Sequence, residues 1–479
     1  MNSNLIEENI HKLETGELLT QQESNLFSLV LKVCHEFDPP VIARAAGGWV
    51  RDKLLGRESD DLDIAVENTT GLTFAEHLQK HSDNQSTKIV VIEANPDQSK
   101  HLETARVCLF SDFWVDVCGL RSEQYASDTR IPQIKQGTPL EDAQRRDFTI
   151  NALFFNINQN KIEDLINGIP DLKSGILRTP LDPEISFGDD PLRVLRAFRF
   201  AARFDFTLDD SLIPAARKVS PDFHRKITKE RISTELIKTI EGGSNPANVV
   251  KYLIESNLFL PVFDCDELWN LNEDEALKRV EIVSSRISPR KNSINDPSLI
   301  SLFNEKSLVL ILGAIYAPLL SRGIIKNAAK YHKKEHAIEI AIARGIRMPL
   351  KVADETLLLL KGADEASNLF KDKENSLNRV NVGRWIKNIG FEWKYAKFLV
   401  FDEDLYHFCS NELEEFIKLN NLEDIYEMKP LLNGKELSEI HGVKPGAALK
   451  PLISALFDWQ LENPCGTVDS YIAYIKSQK

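Results

Sequence analysis

Two carboxylates, Asp61 and Asp63, stand two positions apart in the run Asp61-Leu62-Asp63-Ile64-Ala65-Val66. Alternation along a strand puts both on one face. Carboxylates so placed repel unless a cation lies between them, and their oxygen donors suit magnesium (Mg2+). Alone, such a pair is more often a solvated strand edge. Upstream, however, Gly47-Gly48-Trp49-Val50-Arg51-Asp52 follows an apolar run and opens a helix predicted over 50–55. Adjacent glycines let the backbone approach a phosphate, the N–H groups of a helix start attract an anion, and Arg51 adds a charge-assisted contact. A phosphate turn beside a carboxylate pair is the equipment for binding a nucleoside triphosphate.

A third carboxylate, Asp116, lies in the apolar run Phe113-Trp114-Val115-Asp116-Val117. An unpaired charge there is unfavourable, so the residue is either costly or employed. Three carboxylates holding two metal ions would activate an attacking hydroxyl toward a triphosphate. Further on, Arg145 and Arg146 form a pair able to clamp the triphosphate, and Asn151 is a candidate for a ribose hydroxyl.

The stretch 189–200, DDPLRVLRAFRF, reads as a helix start, with Pro191 in the first turn and acids before it. Asp190 and Arg193, three apart, share a face. Arg196, Arg199 and Arg203 continue a cationic ridge, with no acid between Leu192 and Arg203 to pair with it. An Asp acceptor beside an Arg donor matches cytosine and adenine alike, because each offers an amino donor next to a ring-nitrogen acceptor. Uracil and guanine present the reverse pattern and would leave polar groups unpaired. One pocket of this kind selects CTP or ATP without a nucleic-acid template.

The elements that must position these groups fall into two regimes. Residues 41–160 carry short β-rich runs (VIARAA, DLDIAV, KIVVIEA, ARVCLF, FWVDVCGL, NALFFNI) with helical patterns between them, preceded by a helical segment over 19–36. From Pro191 onward nearly everything reads as helix, with 285–298 as an exposed loop. The expected architecture is α+β, a mixed-sheet head at 1–165 followed by all-α segments at 166–245, 246–400 and 401–479. At 479 residues one core is too few. The formal net charge of −13 argues against a surface that coats nucleic acid, so an RNA enzyme of this composition needs one local basic face. Lys326, Lys330, Lys333 and Lys334 form one such patch, read first as a solvated helix. Six scattered cysteines without a CxxC pair indicate free thiols rather than zinc. The apolar run 308–320 is too short to span a bilayer, and the Glu-containing, Arg-free N-terminal stretch has the character of neither a transit nor a signal peptide.

The motifs GGWVRDKLLG, DDLDIA, KHLETA, LRSEQY, RRDFTINALFFNI, DLINGIPDLKSGILRTPL, DDPLRVLRAFRFAARF and TKERISTEL, in this order, resemble the class II tRNA nucleotidyltransferases, the CCA-adding enzymes of eukaryotic type. The likeness is specific over 40–236 and returns at NGKEL, GVKPG and WQLENP. It implies a polymerase-β-like nucleotidyltransferase head followed by helical neck, body and tail, acting as a monomer on tRNA with CTP, ATP and Mg2+. The setting implied is the cytoplasm, shared with nucleus or mitochondria, with no membrane partner. By the same resemblance Asp61 and Asp63 hold metal, with Asp116 as the third carboxylate. Gly48, Arg51, Arg146, Arg196 and Arg199 would bind the incoming nucleotide, joining Gly47 and Asn151 from the reading above, Asp190 and Arg193 would select the base, and 228–231 would brace the neck. Lys444 and Gly446 would hold an RNA phosphate in a tail hairpin. Open alternatives are a partial enzyme adding only CC or only the terminal A, a poly(A) polymerase, and a noncatalytic RNA-binding protein. The chain departs from the family at Ala447-Ala448 and in a shorter segment after DLDIA.

Overall fold

The computed structural model describes residues 3–59, 61–82, 88–92, 104–109, 113–124, 133–242, 245–263, 271–287, 297–326, 334–444 and 446–478. Asp60, the opening residues of KHLETA, Tyr125 of LRSEQY, Cys265, most of the 285–298 loop, Lys330, Lys333 and Pro445 lie outside the described residues. The chain divides into two compact units, Met1–Val262 and Phe263–Lys479.

In the first unit the β-rich runs become strands β1 (Ala43–Ala46), β2 (Leu62–Val66), β3 (Lys88–Ile92), β4 (Thr104–Leu109), β5 (Phe113–Gly119), β6 (Arg121–Gln124), β7 (Gln133–Gln136), β8 (Phe154–Asn156) and β9 (Lys161–Glu163). Seven of them form one sheet, ordered β3-β4-β5-β2-β1-β8-β9, while β6 and β7 pair as a separate ribbon. Every pairing in the large sheet is antiparallel except β2 with β5. Beneath its centre Ala46, Ala65, Leu120, Ala143, Ala152 and Phe154 pack as a buried cluster. Small residues on both central strands let neighbouring elements approach closely.

The N-terminal segment forms two helices, Ser3–Glu14 and Gln21–Cys34, the second begun by a capping box of Thr20 with Glu23. It docks through Phe27, which meets Trp49 edge-on and stacks on Phe155. The buried Glu23 accepts hydrogen bonds from Trp49 Nε1 at 2.7 Å and Lys53 Nζ at 2.8 Å. This pins the helix that follows the glycine pair, which runs Gly48–Leu54 and so starts two residues before the predicted Val50. The run NALFFNI is only half strand: a 3-10 turn at Thr149–Asn151 precedes β8. Beyond the sheet, the helices Leu192–Phe204 and Lys229–Glu241 lie side by side.

The second unit is helical, with long helices at Glu273–Ile287, Pro297–Tyr316 and Leu350–Leu369. Among the described residues no helix is long and apolar enough to cross a membrane. Lys326 and Lys334 belong to a two-stranded ribbon, Ile324–Lys326 with Lys334–His336, rather than to the solvated helix expected there. The C-terminal helices Gly434–His441, Leu449–Glu462 and Val468–Ser477 close over Leu432, Leu437, Leu456, Trp459 and Tyr471.

Candidate active site

The parallel register of β2 and β5 sets Asp63 directly opposite Asp116. Facing residues of paired strands put their side chains on the same side of a sheet, so two carboxylates distant in sequence become neighbours. Asp61, just before β2, joins Asp63 in lining a cleft of about 1100 Å³. Asp63 opens onto this cleft, yet the protein packed around it desolvates the carboxyl and pushes it up to about 6. Arg146 works against that rise, while the charges of Asp116 and Asp61 add to it. Asp116 is not buried as its apolar neighbours suggested; it is about one-third exposed, 3.5 Å from Arg106 on β4. Among the described residues no three His, Cys, Asp or Glu side chains close round an ion by themselves.

Gly47 has φ +72°, and a Cβ there would lie 2.7 Å from Arg146 Nη1. The left-handed backbone and the close guanidinium both call for glycine. Arg51, buried in the first helical turn, donates to both oxygens of Asp52 at 2.9 and 2.8 Å and to Asn151 Oδ1, with Phe204 4.8 Å beneath its guanidinium. Asn151 in turn donates to Asp147 at 2.9 Å. Both ends of that amide are thus occupied in bridging Arg51 to Asp147.

The arginine pair is held from behind. A capping box of Thr138 and Glu141, with Pro139 in the first turn, starts the Pro139–Gln144 helix. It delivers Asp142, 1% exposed, to both guanidiniums: Arg145 donates to its Oδ1 at 2.8 and 2.5 Å, and Arg146 to its Oδ2 at 3.1 and 3.0 Å. Burial opposes this charge, but Arg146 and Arg145 hold the Asp142 carboxyl below its ordinary value.

Two arginines of the ridge on the Leu192–Phe204 helix are also paired, by acids from other elements. Arg196 donates to Asp147 Oδ2 at 2.9 and 2.5 Å, and Arg199 to Glu235. Burial would raise the Asp147 carboxyl, yet Arg196 and the Asn151 amide bring it down to about 2. Arg193 donates to Ser186 Oγ at 2.9 Å and to the Arg145 carbonyl at 2.7 Å. Asp190 accepts from Arg231 rather than from Arg193.

The cleft therefore gathers Gly47, Gly48, Arg51, Asp61, Asp63, Arg146, Asn151, Asp190, Arg193, Arg196 and Arg199 on one lining, with Asp116 on the strand beside Asp63. Ten basic side chains against nine acidic ones line it, in a chain of net charge −13, so an anion meets less repulsion here than over the average surface. Lys444 and Gly446 lie elsewhere, exposed after the Gly434–His441 helix in the second unit. Sequence reasoning missed Asp142, Asp147 and Glu235 as anchors. Asp142 had a signal, since residues three and four apart meet on a helix and it precedes Arg145 and Arg146 by those intervals. Glu235 had none.

Residues 43–178 match the family described as the poly A polymerase head domain. The chain is 35% identical to tRNA nucleotidyltransferase cca2 of Schizosaccharomyces pombe, over 91% of this chain and 92% of that one. It is 33% identical to the mitochondrial CCA tRNA nucleotidyltransferase of Saccharomyces cerevisiae, over 96% and 93%. The CCA-adding enzyme of Thermotoga maritima, solved with tRNA, shares the fold at a TM-score of 0.67 and 21% identity, covering 98% of each chain. Identity of this extent along nearly the whole of both yeast proteins leaves one family for it: the chain belongs to the CCA-adding tRNA nucleotidyltransferases.

Proposed function

We propose that this nucleotidyltransferase adds C, C and A in turn to the 3′ end of tRNA, taking CTP and ATP and releasing pyrophosphate. The observation that carries this reading is a cleft lined by Asp61, Asp63, Asp190 and Arg193, with Asp116 set opposite Asp63 by the strand register. The RNA 3′ hydroxyl, beside Asp116, attacks the α-phosphorus in line. The new oxygen–phosphorus bond forms as the bond to the bridging oxygen breaks, and pyrophosphate departs. Arg51, Arg146, Arg196 and Arg199 meet the triphosphate with Gly47 and Gly48 leaving room for it, while Asn151 keeps Arg51 and Asp147 in place. Asp190 accepts the amino proton of cytosine or adenine, and Arg193 donates to the adjacent ring nitrogen. Asp61 and Asp63 fit Mg2+: their donors are all oxygen, and the Asp63 carboxyl, raised chiefly by burial and further by the charges of Asp116 and Asp61, is one whose ionised form a dication stabilises. When bound, that ion supplies charge neutralisation of the triphosphate and acidifies the attacking hydroxyl.

We propose a head to 165, a neck to 245, a body to 400, which crosses the boundary between the two units after Val262, and a tail that grips tRNA through Lys444 and Gly446. The protein acts as a monomer in the cytoplasm, and the name of the S. cerevisiae relative supports a mitochondrial share. The test supplies tRNAs ending before CCA, after the first C and after CC with CTP, ATP or both, and reads products at single-nucleotide resolution. Stepwise C, C, A addition that then stops is the expected outcome. Addition of CC alone, or of A to the CC-ended substrate alone, assigns a partial enzyme. Repeated A addition to unrelated RNA assigns a poly(A) polymerase, and no incorporation assigns a noncatalytic RNA binder.

A further inference from the structure

The carboxylate expected to read the base is fixed from a third element. Arg231, on the Lys229–Glu241 helix, donates from Nη1 to Asp190 Oδ1 at 3.2 Å and from Nη2 to Oδ2 at 2.9 Å. Oδ1 also accepts the Leu192 N–H at 3.2 Å. The two side chains are only 12% and 21% exposed. A two-pronged arginine contact sets the plane of a carboxylate as well as its position. With the Leu192 N–H it takes three of the roughly four acceptor sites such a group possesses, so the direction in which Asp190 can still accept is narrowed.

The chemistry at stake is the sign of one hydrogen bond. An ionised Asp190 is acceptor-only and matches the amino groups on cytosine C4 and adenine C6. A protonated Asp190 carries an O–H donor, which matches the O4 of uracil and the O6 of guanine. The charged groups around Asp190 are Arg231 from the neighbouring helix, Arg193 and Arg196 from the helix that follows it, and the adjacent Asp189. Arg193 and Arg196 direct donors to Ser186, the Arg145 carbonyl and Asp147. Only Arg231 among these three spans both Asp190 oxygens.

We propose that Arg231 is a positioning residue for base selection: by holding both oxygens of Asp190 it keeps that side chain an oriented acceptor, so cytosine and adenine are admitted and uracil and guanine refused. The proposal rests on the reading of Asp190 and Arg193 given above, and it assigns the 228–231 segment a part in fidelity beyond bracing a helix. Two variants test it, Arg231→Gln and Arg231→Lys, in the full-length protein with tRNA ending before CCA or after CC. Each of the four nucleoside triphosphates is supplied singly, kcat/KM is taken between pH 6 and pH 8.5, and thermal melting is followed in parallel. In Arg231→Gln the preferences for C over U and A over G fall by on the order of tenfold or more, and the fall widens as pH decreases. Arg231→Lys, which keeps charge without the fork, lies between Gln and wild type. A folded Arg231→Gln protein that keeps wild-type preferences at every pH, or that loses rate equally with all four nucleotides, overturns the proposal. Should Arg231→Gln melt too low to assay, Arg231→Lys decides: weakened preference supports the role, and wild-type preference refutes it. A wild-type protein that incorporates neither C nor A removes the parent reading and this one together, whereas unchanged selectivity in an active variant strikes the inference alone.

Discussion

Desolvation by the surrounding protein, with the charges of Asp116 and Asp61 adding to it against the pull of Arg146, raises the Asp63 carboxyl from its ordinary 3.8 to about 6, so the folded protein binds this proton more tightly than the unfolded chain does. The contribution to stability is therefore fully present below pH 4 and lost as pH climbs through 6, where ionisation leaves three aspartates near one another. A divalent cation binds the ionised form and reverses the loss. Magnesium should accordingly raise the melting temperature more at pH 8 than at pH 5, as read by calorimetry, and Asp63→Asn should erase the difference along with nucleotide transfer. A magnesium effect of equal size at both pH values would count against Asp63 as a ligand. Asp142 makes a second, purely structural prediction. At 1% exposure it is the common acceptor of Arg145 and Arg146. Asp142→Ala should destabilise the protein by about 3–5 kcal/mol, because two enclosed guanidiniums lose their carboxylate; urea unfolding measures it. That Asp61 with Asp63, and Asp190 with Arg193, would share one cleft was legible because their spacing is local: a two-residue interval leading into a strand, a three-residue interval at a helix start. Their salt partners were not. Arg196 and Arg199 read as an open cationic face because Asp147 and Glu235 reach them from other elements, a proximity that helical periodicity does not encode.

The elements were placed well where apolar alternation was strong, and the six β-rich runs all contribute strands to the large sheet. Pairing order was beyond reach, since nothing in a strand's own residues states that β2 lies beside β5 rather than beside β3. The turn before the Gly48–Leu54 helix ties an element to its site most directly. Gly47→Ala should strain a backbone at φ +72°, ψ −126° by about 1–3 kcal/mol and press its new methyl against an Arg146 guanidinium already held by Asp142. That displacement should lower kcat/KM for CTP and ATP by on the order of a hundredfold, with the melting temperature lowered by only a few degrees. A normal kcat/KM would show that the glycine serves the turn alone.

Across the whole molecule the charge balance sets how RNA is met. A chain of net charge −13 concentrates attraction at few points, so tRNA binding should weaken only modestly with salt, with a shallow slope of log affinity on log salt concentration. Lys444→Ala should raise the KM for tRNA by roughly two- to fivefold through one lost phosphate contact, leaving the KM for CTP unchanged, as steady-state kinetics on full-length tRNA will report. Equal effects on both substrates would remove the tail hairpin from the RNA-contact surface. The division into two units was only partly legible, because helical patterning continues past residue 262 without a change in period. The lone parallel pairing has a different consequence, for the life of the chain during its own synthesis. Asp63 and Asp116 are more than fifty residues apart, and parallel neighbours are joined by a long crossover that must close before they meet. A ribosome that has released β2 but not β5 carries half of a reaction centre. The facing pair of carboxylates therefore exists only once β5 has emerged and the crossover has closed.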